Sequence, residues 1–158
     1  MSIETGDIKL TYDSDLMEFD ASITDGDIDR DDGLETAVFI SLFTDMRARI
    51  DDDFDNDDRR GWWGDQTSNY SGDQIGSRLW LLDRSKTTVE NIKLAKIYIE
   101  EALAWIVEDG AAKKVEALAE RAGLPGNDRL YMSAKIYKSD GTDITYKFDA
   151  LWASQMEA

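Results

Sequence analysis

The stretch TTVENIKLAKIYIEEALAWIVEDG, residues 87–110, decides how the chain folds. Thr87-Thr88-Val89-Glu90 matches a capping box, in which Thr87 accepts from the backbone N–H of Glu90 and the Glu90 side chain reaches back. The helix it opens runs to Glu108, with Gly110 placed for a left-handed stop. With about 3.6 residues per turn, Val89, Ile92, Ala95, Ile99, Leu103 and Ile106 share one face, and Leu94, Tyr98 and Trp105 form a second stripe beside it. Glu90, Lys93, Glu100 and Glu101 keep the wet arc. So wide an apolar arc predicts a helix covered on two sides, the organiser of the core.

The chain beyond this helix reads as sheet. Leu130, Met132, Ala134 and Ile136 alternate with Tyr131, Ser133, Lys135 and Tyr137, and Ile144, Tyr146 and Phe148 return after Ser139-Asp140-Gly141-Thr142. The Asp-Gly pair favours a tight turn, so a hairpin is expected. Lys113–Arg121 stays open between helix and strand: its alanines and glutamates favour helix, yet Val115, Ala117 and Ala119 alternate. Pro125 sits in a turn before the hairpin.

Toward the N-terminus, Ile8, Leu10 and Tyr12, then Met17, Phe19, Ala21 and Ile23, alternate about a turn at Asp13-Ser14-Asp15. This predicts a second hairpin with one wet face. Asp25–Gly33 reads as an acidic loop and Leu34–Ile50 as a helix carrying Val38, Leu42 and either Phe39 or Phe43 inward. Asp51–Asp58 holds so many adjacent carboxylates that it reads as a solvated loop. The expectation is an α+β fold: one small domain over 1–158, a long central helix packed on antiparallel hairpins or sheet. Within it, 1–24 forms a hairpin or arm and 51–75 a long acidic, tryptophan-bearing loop.

Composition narrows the chemistry. The chain has 158 residues, 34 acidic against 18 basic for a net charge of −16, no histidine and no cysteine. Such a negative surface repels nucleic acid and anionic lipid and favours basic protein partners. Lacking Cys and His, it has no thiolate chemistry and neither the commonest neutral-pH general base nor the commonest transition-metal ligand. The first residues carry no signal-peptide pattern, and no window approaches the roughly 18 apolar residues a membrane span needs. Synthesis in a reducing cytoplasm is expected.

Calcium-loop registers fail: starting at Asp27, position 6 is Asp32 and position 12 is Val38; starting at Asp51, position 12 is Trp62. A glycosidase needs a carboxylate pair, and nothing selects one among so many. No nucleophile elbow, phosphate loop or dinucleotide fingerprint is present. Neither a cofactor nor a metal is expected. An acidic decoy for a DNA-binding protein is a third reading, disfavoured by the aromatic content. Aromatic residues are the more informative ones. Trp80, within Leu79-Trp80-Leu81-Leu82, reads as core under the long helix. Trp62 and Trp63 lie between glycines in a polar loop flanked by Arg59, Arg60 and Asp65, a composition suited to contacting a partner.

Asp32-Gly33-Leu34-Glu35-Thr36-Ala37-Val38, Ser41-Leu42-Phe43-Thr44-Asp45, Arg60-Gly61-Trp62-Trp63-Gly64-Asp65, Gly76-Ser77-Arg78-Leu79-Trp80-Leu81-Leu82 and Glu101-Ala102-Leu103-Ala104-Trp105 together resemble a known family. It is the Mu-type baseplate protein family of contractile-tailed phages, related to the T-even baseplate wedge and sheath-initiator protein. The resemblance runs from Leu10 to Trp152. It implies a non-enzymatic structural protein of the virion tail baseplate, assembled in the host cytoplasm as part of a large symmetric hetero-oligomer. Implied partners are other wedge proteins, tail-tube or tube-initiator proteins and the tail sheath protein, with no nucleic acid or membrane. Sheath arms in relatives of this type add to a sheet of the initiator; here the strand carrying Ile144, Tyr146 and Phe148 offers such an edge. The wider wedge family carries Glu-Pro-Arg after its long helix, where this chain has Glu108-Asp109-Gly110, so that docking motif does not carry over. A hydrolytic, peptidoglycan-degrading tail enzyme is the alternative.

Overall fold

The computed structural model describes residues 6–13, 18–31, 34–54, 57–67, 72, 74–83, 87–124 and 127–148. Period-two patterning near the N-terminus does give strands, but six of them. They are β1 (Asp7–Ile8), β2 (Leu10–Asp13), β3 (Glu18–Ala21), β4 (Ile23–Thr24), β5 (Asp27–Ile28) and β6 (Arg30–Asp31). β2 pairs with β3 as expected, while β1 pairs with β6 and β4 with β5, all antiparallel. The span 25–33, expected as a loop, is therefore largely β-structure in its described part. Its signal is Asp25-Gly26, whose φ values of 53° and 84° make the two-residue turn that antiparallel strands favour. Part of the turn expected at Asp13-Ser14-Asp15, and Met17, lie outside the described residues.

The three pairings meet at one point. Lys9 N donates to Asp29 O at 3.0 Å, Asp29 N to Ser22 O at 2.8 Å, and Ser22 N to Lys9 O at 2.9 Å, a closed ring of backbone bonds. Ser22 Oγ and Thr24 Oγ1 donate to the Asp29 carboxylate, and these two hydroxyls hold it below the usual carboxylate range. Apolar Ile8, Leu10, Phe19, Ala21, Ile23 and Ile28 alternate with polar residues along the arm. Phe19 packs on Phe39 and Phe43 at centroid separations of 5.5 and 6.0 Å. Thr36 fastens the arm further: its hydroxyl donates to Ile8 O and accepts from Leu10 N.

Those phenylalanines belong to α1 (Glu35–Phe43), which is shorter than the expected helix to Ile50. From Thr44 the chain is extended, because its backbone has other partners. Ser77 N donates to Thr44 O, Met46 N to Ser77 O, and Ala48 N to Arg59 O, each at 2.9 Å. Gly76, at φ +109°, lies so close to Thr44 that a Cβ would overlap its carbonyl.

The long helix forms, with two corrections. Its cap is Thr88, whose hydroxyl accepts from Asn91 N, rather than Thr87. It also breaks at Leu103 into α2 (Val89–Ala102) and α3 (Ala104–Glu108), where Ile106 N bonds back only three residues to Leu103 O. Ala95, Tyr98, Ile99, Ala102, Leu103 and Ile106 are buried; Val89, expected on that face, is 69% exposed in the first turn. Gly110 takes φ +79° at the stop, as expected.

The C-terminal half is one antiparallel sheet: β7 (Ala112–Leu124), β8 (Asn127–Lys138) and β9 (Asp143–Lys147), in that order. The open question over Lys113–Arg121 resolves as strand, registered against β8 from Ala112 to Leu124. Local helix preference loses to long-range pairing there. Pro125 lies outside the described residues. The inner face, including Met132, Ala134, Ile136, Tyr146 and Phe148, joins α1, α2, α3 and the Leu79–Leu82 turn in one core, the α+β architecture expected. In that turn Leu79 and Leu82 are buried, but Trp80 is only partly so. Its indole N–H donates to Met46 O at 2.8 Å and Arg60 covers its ring at 4.4 Å.

One charge is buried beside this core. Arg78 is 6% exposed, bonds Asp52 at 2.6 Å and Glu101 at 2.7 Å, and stacks over Tyr98 at 4.5 Å. The Asp51–Asp58 loop thus departs from its expected full solvation: the Asp52 side chain is 9% exposed because Arg78 holds it. Arg78→Met is expected to leave the Asp52 carboxylate without its cation and Glu101 with Arg49 alone, and to cost about 3 kcal/mol or more, read as a lower urea midpoint. An unchanged midpoint means the tie contributes nothing. For the arm, the depressed Asp29 carboxyl contributes stability that is complete above its unfolded value of about 3.9 and lost as pH falls through its lower folded value. Amide signals of Lys9, Ser22 and Asp29 should shift together on acidification, and this step should be absent in Asp29→Asn, which has no carboxylate to titrate.

Candidate interface surfaces

The segment from Arg59 to Asp65 separates into an inward and an outward part. Arg59 donates to Ala48 O, and Arg60 bonds Asp45 at 2.8 Å while lying over Trp80. Asp65 Oδ1 accepts from Ile75 N at 3.1 Å, at a short 3-10 turn over Trp63–Gln66. The charged residues of the expected contact set therefore have partners inside the molecule. The two tryptophans point out: Trp62 is 40% and Trp63 73% exposed, with ring centroids 5.5 Å apart and tilted 45°. Gly64 is the residue that sequence reasoning misses. It is buried, and a Cβ on it would overlap the six-membered ring of Trp62, so that indole rests on bare backbone. Gly61, at φ +111°, passes close to Arg47, whose Cβ would lie 2.9 Å from a Cβ placed there.

The second surface is the sheet. Phe148 N donates to Met132 O and Lys138 N to Thr142 O, which fixes the alternation of the β8–β9 ladder. Ile144, Tyr146 and Phe148 turn their backbone groups toward β8, so Asp143, Thr145 and Lys147 present theirs outward. Of the side chains expected there, Tyr146 and Phe148 are buried and Ile144 is half-buried. Burial pushes the Tyr146 hydroxyl up to about 12. Side-chain contact by these residues is thus directed into the core, and what β9 offers outside is backbone.

The opposite edge differs. By the same register, Val115, Ala117 and Ala119 of β7 turn outward, and Ala117 N donates to the Glu100 carboxylate of α2 at 3.4 Å. Arg121 reaches Thr87 O at the other end of that helix. α2 therefore guards the β7 edge, and Glu100, assigned to the wet arc, is its contact. On the outer sheet face Tyr137 bonds Glu116 and Lys135 pairs with Asp143 across strands, while Lys114 pairs with Glu116 along β7. Lys114 and Tyr137 hold the Glu116 carboxyl below its usual range, and Asp143 raises Lys135. These shifts arise from exposed pairing.

Among the described residues, no group of three or more His, Cys, Asp or Glu is placed to hold a metal ion, and no helix is long and apolar enough to cross a membrane.

Residues 34–143 match the family model described as Phage protein GP46. The chain is 45% identical over 122 residues to the baseplate protein gp46 of Escherichia phage Mu, covering 76% of this chain and 80% of that protein. It is 38% identical over 123 residues to the Mu-like prophage FluMu protein gp46 of Haemophilus influenzae, covering 78% and 82%. The match spans α1, the tryptophan loop, α2, α3 and the sheet up to the first residue of β9, and begins after the arm. With most of its length matched by the family model, this chain belongs to the GP46 phage protein family.

Proposed function

We propose that the chain is a non-enzymatic structural subunit of a contractile-tail baseplate in the virion, assembled in the host cytoplasm as part of a large symmetric hetero-oligomer. It docks on wedge proteins near the tail tube or its initiator and templates the first sheath ring. The 45% identity to a protein named for the baseplate supports the assembly. The observation that carries the templating is the β9 edge: three outward residues in alternation, Asp143, Thr145 and Lys147, on the edge opposite the one α2 guards. An arriving extended arm of the sheath protein adds there as a fourth strand. The Arg59–Asp65 segment, with Trp62 and Trp63 outermost, anchors a wedge neighbour. Nucleic acid and membrane play no part in this reading.

Thr145 tests the edge, because its N–H faces away from β8. Thr145→Pro is expected to leave the fold's urea midpoint within about 1 kcal/mol and lower sheath nucleation on purified baseplates by about tenfold or more, since an edge donor is lost and the ring blocks approach. Thr145→Val should nucleate normally. Sheath rings forming on the proline variant at the ordinary rate would end the strand-addition reading. For the anchor, Gly64→Ala is expected to lift Trp62 off its seat, changing the near-ultraviolet aromatic signal and reducing incorporation into baseplates while far-ultraviolet helix content stays constant. Full incorporation with an altered aromatic signal means that Trp62 does not anchor. Purified protein is expected to release no fragments from peptidoglycan; turnover above a boiled control would reinstate the hydrolase.

A further inference from the structure

The Trp62–Trp63 surface lies in a loop whose cations are all engaged within the molecule. Residues 51–67 carry seven aspartates and two arginines. Both arginines are engaged within the molecule, Arg59 with Ala48 O and the half-exposed Arg60 with Trp80 and Asp45. The neighbouring cations are engaged as well: Arg49 pairs with Glu101, and Arg47 donates to Arg60 O. Asp51, Asp53, Asp57 and Asp58 remain exposed, and Asp58 touches the backbone of this same turn by accepting from Arg60 N at 2.9 Å. The outward surface is thus two indole rings, negative over their faces, in a loop whose exposed Asp51, Asp53, Asp57 and Asp58 form no ion pair with a cation among the described residues.

Resting on the proposal that this loop anchors a neighbour, we infer that the Trp62–Trp63 surface receives a cationic side chain, arginine or lysine, from a basic segment of the partner protein. An indole face and a nearby carboxylate both stabilise such a cation, one through the ring quadrupole and one by direct attraction. A purely apolar occupant would strip water from the aspartates with nothing to replace it. A second copy of this chain brings another sixteen negative charges and is repelled. Interface anchors usually combine tryptophan with arginine. Here the chain has spent its own arginines on holding the loop, and the complementary one comes from outside.

The full chain, with its tryptophans labelled at the indole nitrogen, tests this by titration with a capped tetra-arginine peptide and capped tetraserine and tetraglutamate controls. Expected are shifts of the Trp62 and Trp63 indole signals with tetra-arginine alone, saturating before those of Trp80 or Trp105, and weakening as salt rises. Trp63→Leu, which keeps apolar bulk without the ring, should weaken the peptide by between about threefold and thirtyfold, with Trp63→Phe between. Shifts confined to aspartate-rich backbone with both indoles unmoved, or equal affinity in Trp63→Leu, overturn the inference. Baseplate incorporation separates it from the reading beneath it. If Trp63→Ala fails to incorporate while tetra-arginine ignores the indoles, the anchor stands and the cation falls. If tetra-arginine binds the indoles while Trp63→Ala incorporates normally, the cation site stands and the anchor falls.

Discussion

Arg78 is the constraint on which the rest of the exposed architecture depends. A guanidinium removed from water costs several kcal/mol unless its donors are met, and here Asp52, Glu101 and the Tyr98 ring meet them. Those partners come from the acidic loop and from α2, so one side chain joins three segments far apart in sequence. The loop between Thr44 and Gln66 contains little apolar surface with which to fix itself. Arg78, Arg49 and Arg60 supply what packing does not, each tying part of it to a carboxylate. Two tryptophans displayed at the end of a polar loop are therefore held on a frame rather than on a flexible tether.

The position of α2 has two results that look unrelated. Its buried stripe fills the core with Ala95, Tyr98 and Ile99, and its flank carries Glu100 to the outward amide of Ala117. An open edge invites pairing with any extended chain, so proteins cover, shorten or charge their edges. In this sheet α2 meets the outward amide of Ala117 on the thirteen-residue strand, and the five-residue strand, β9, lies at the other side. On the proposed reading the contacted edge is as informative as the other one, since together they favour strand addition at β9.

Much of this was legible where periodicity is strong and partners are local. The β8–β9 hairpin follows from alternation about Asp140-Gly141, and the α2–α3 stripe from helical spacing. Boundaries set by distant partners were not legible. Nothing near Thr44 announces that Gly76 will lie against it, and nothing within Asp51–Asp58 marks Asp52 as the partner of Arg78. β7 carries alanines and glutamates that favour helix until β8 pairs with it. At the tryptophan loop, the flanking glycines signalled the exposure of Trp62 and Trp63. The inward destinations of Arg59 and Arg60 depended on Ala48, Asp45 and Trp80, which only the fold brings close.

The ring formed by Lys9, Ser22 and Asp29 has a mechanical meaning. Strand pairs of two residues do not persist alone, yet here each donates to the next around a closed circuit, so no pair can open without disturbing the other two. The arm is built as a joint with three short limbs meeting at one hub, and the β1–β6 limb is fastened to α1 through Thr36. A tip such as Asp25-Gly26 can be lengthened or rewritten without touching the circuit, whereas an insertion at any hub residue breaks all three limbs at once. Most of this joint precedes residues 34–143, the stretch the family model matches, and it is attached to α1 through Phe19 and Thr36.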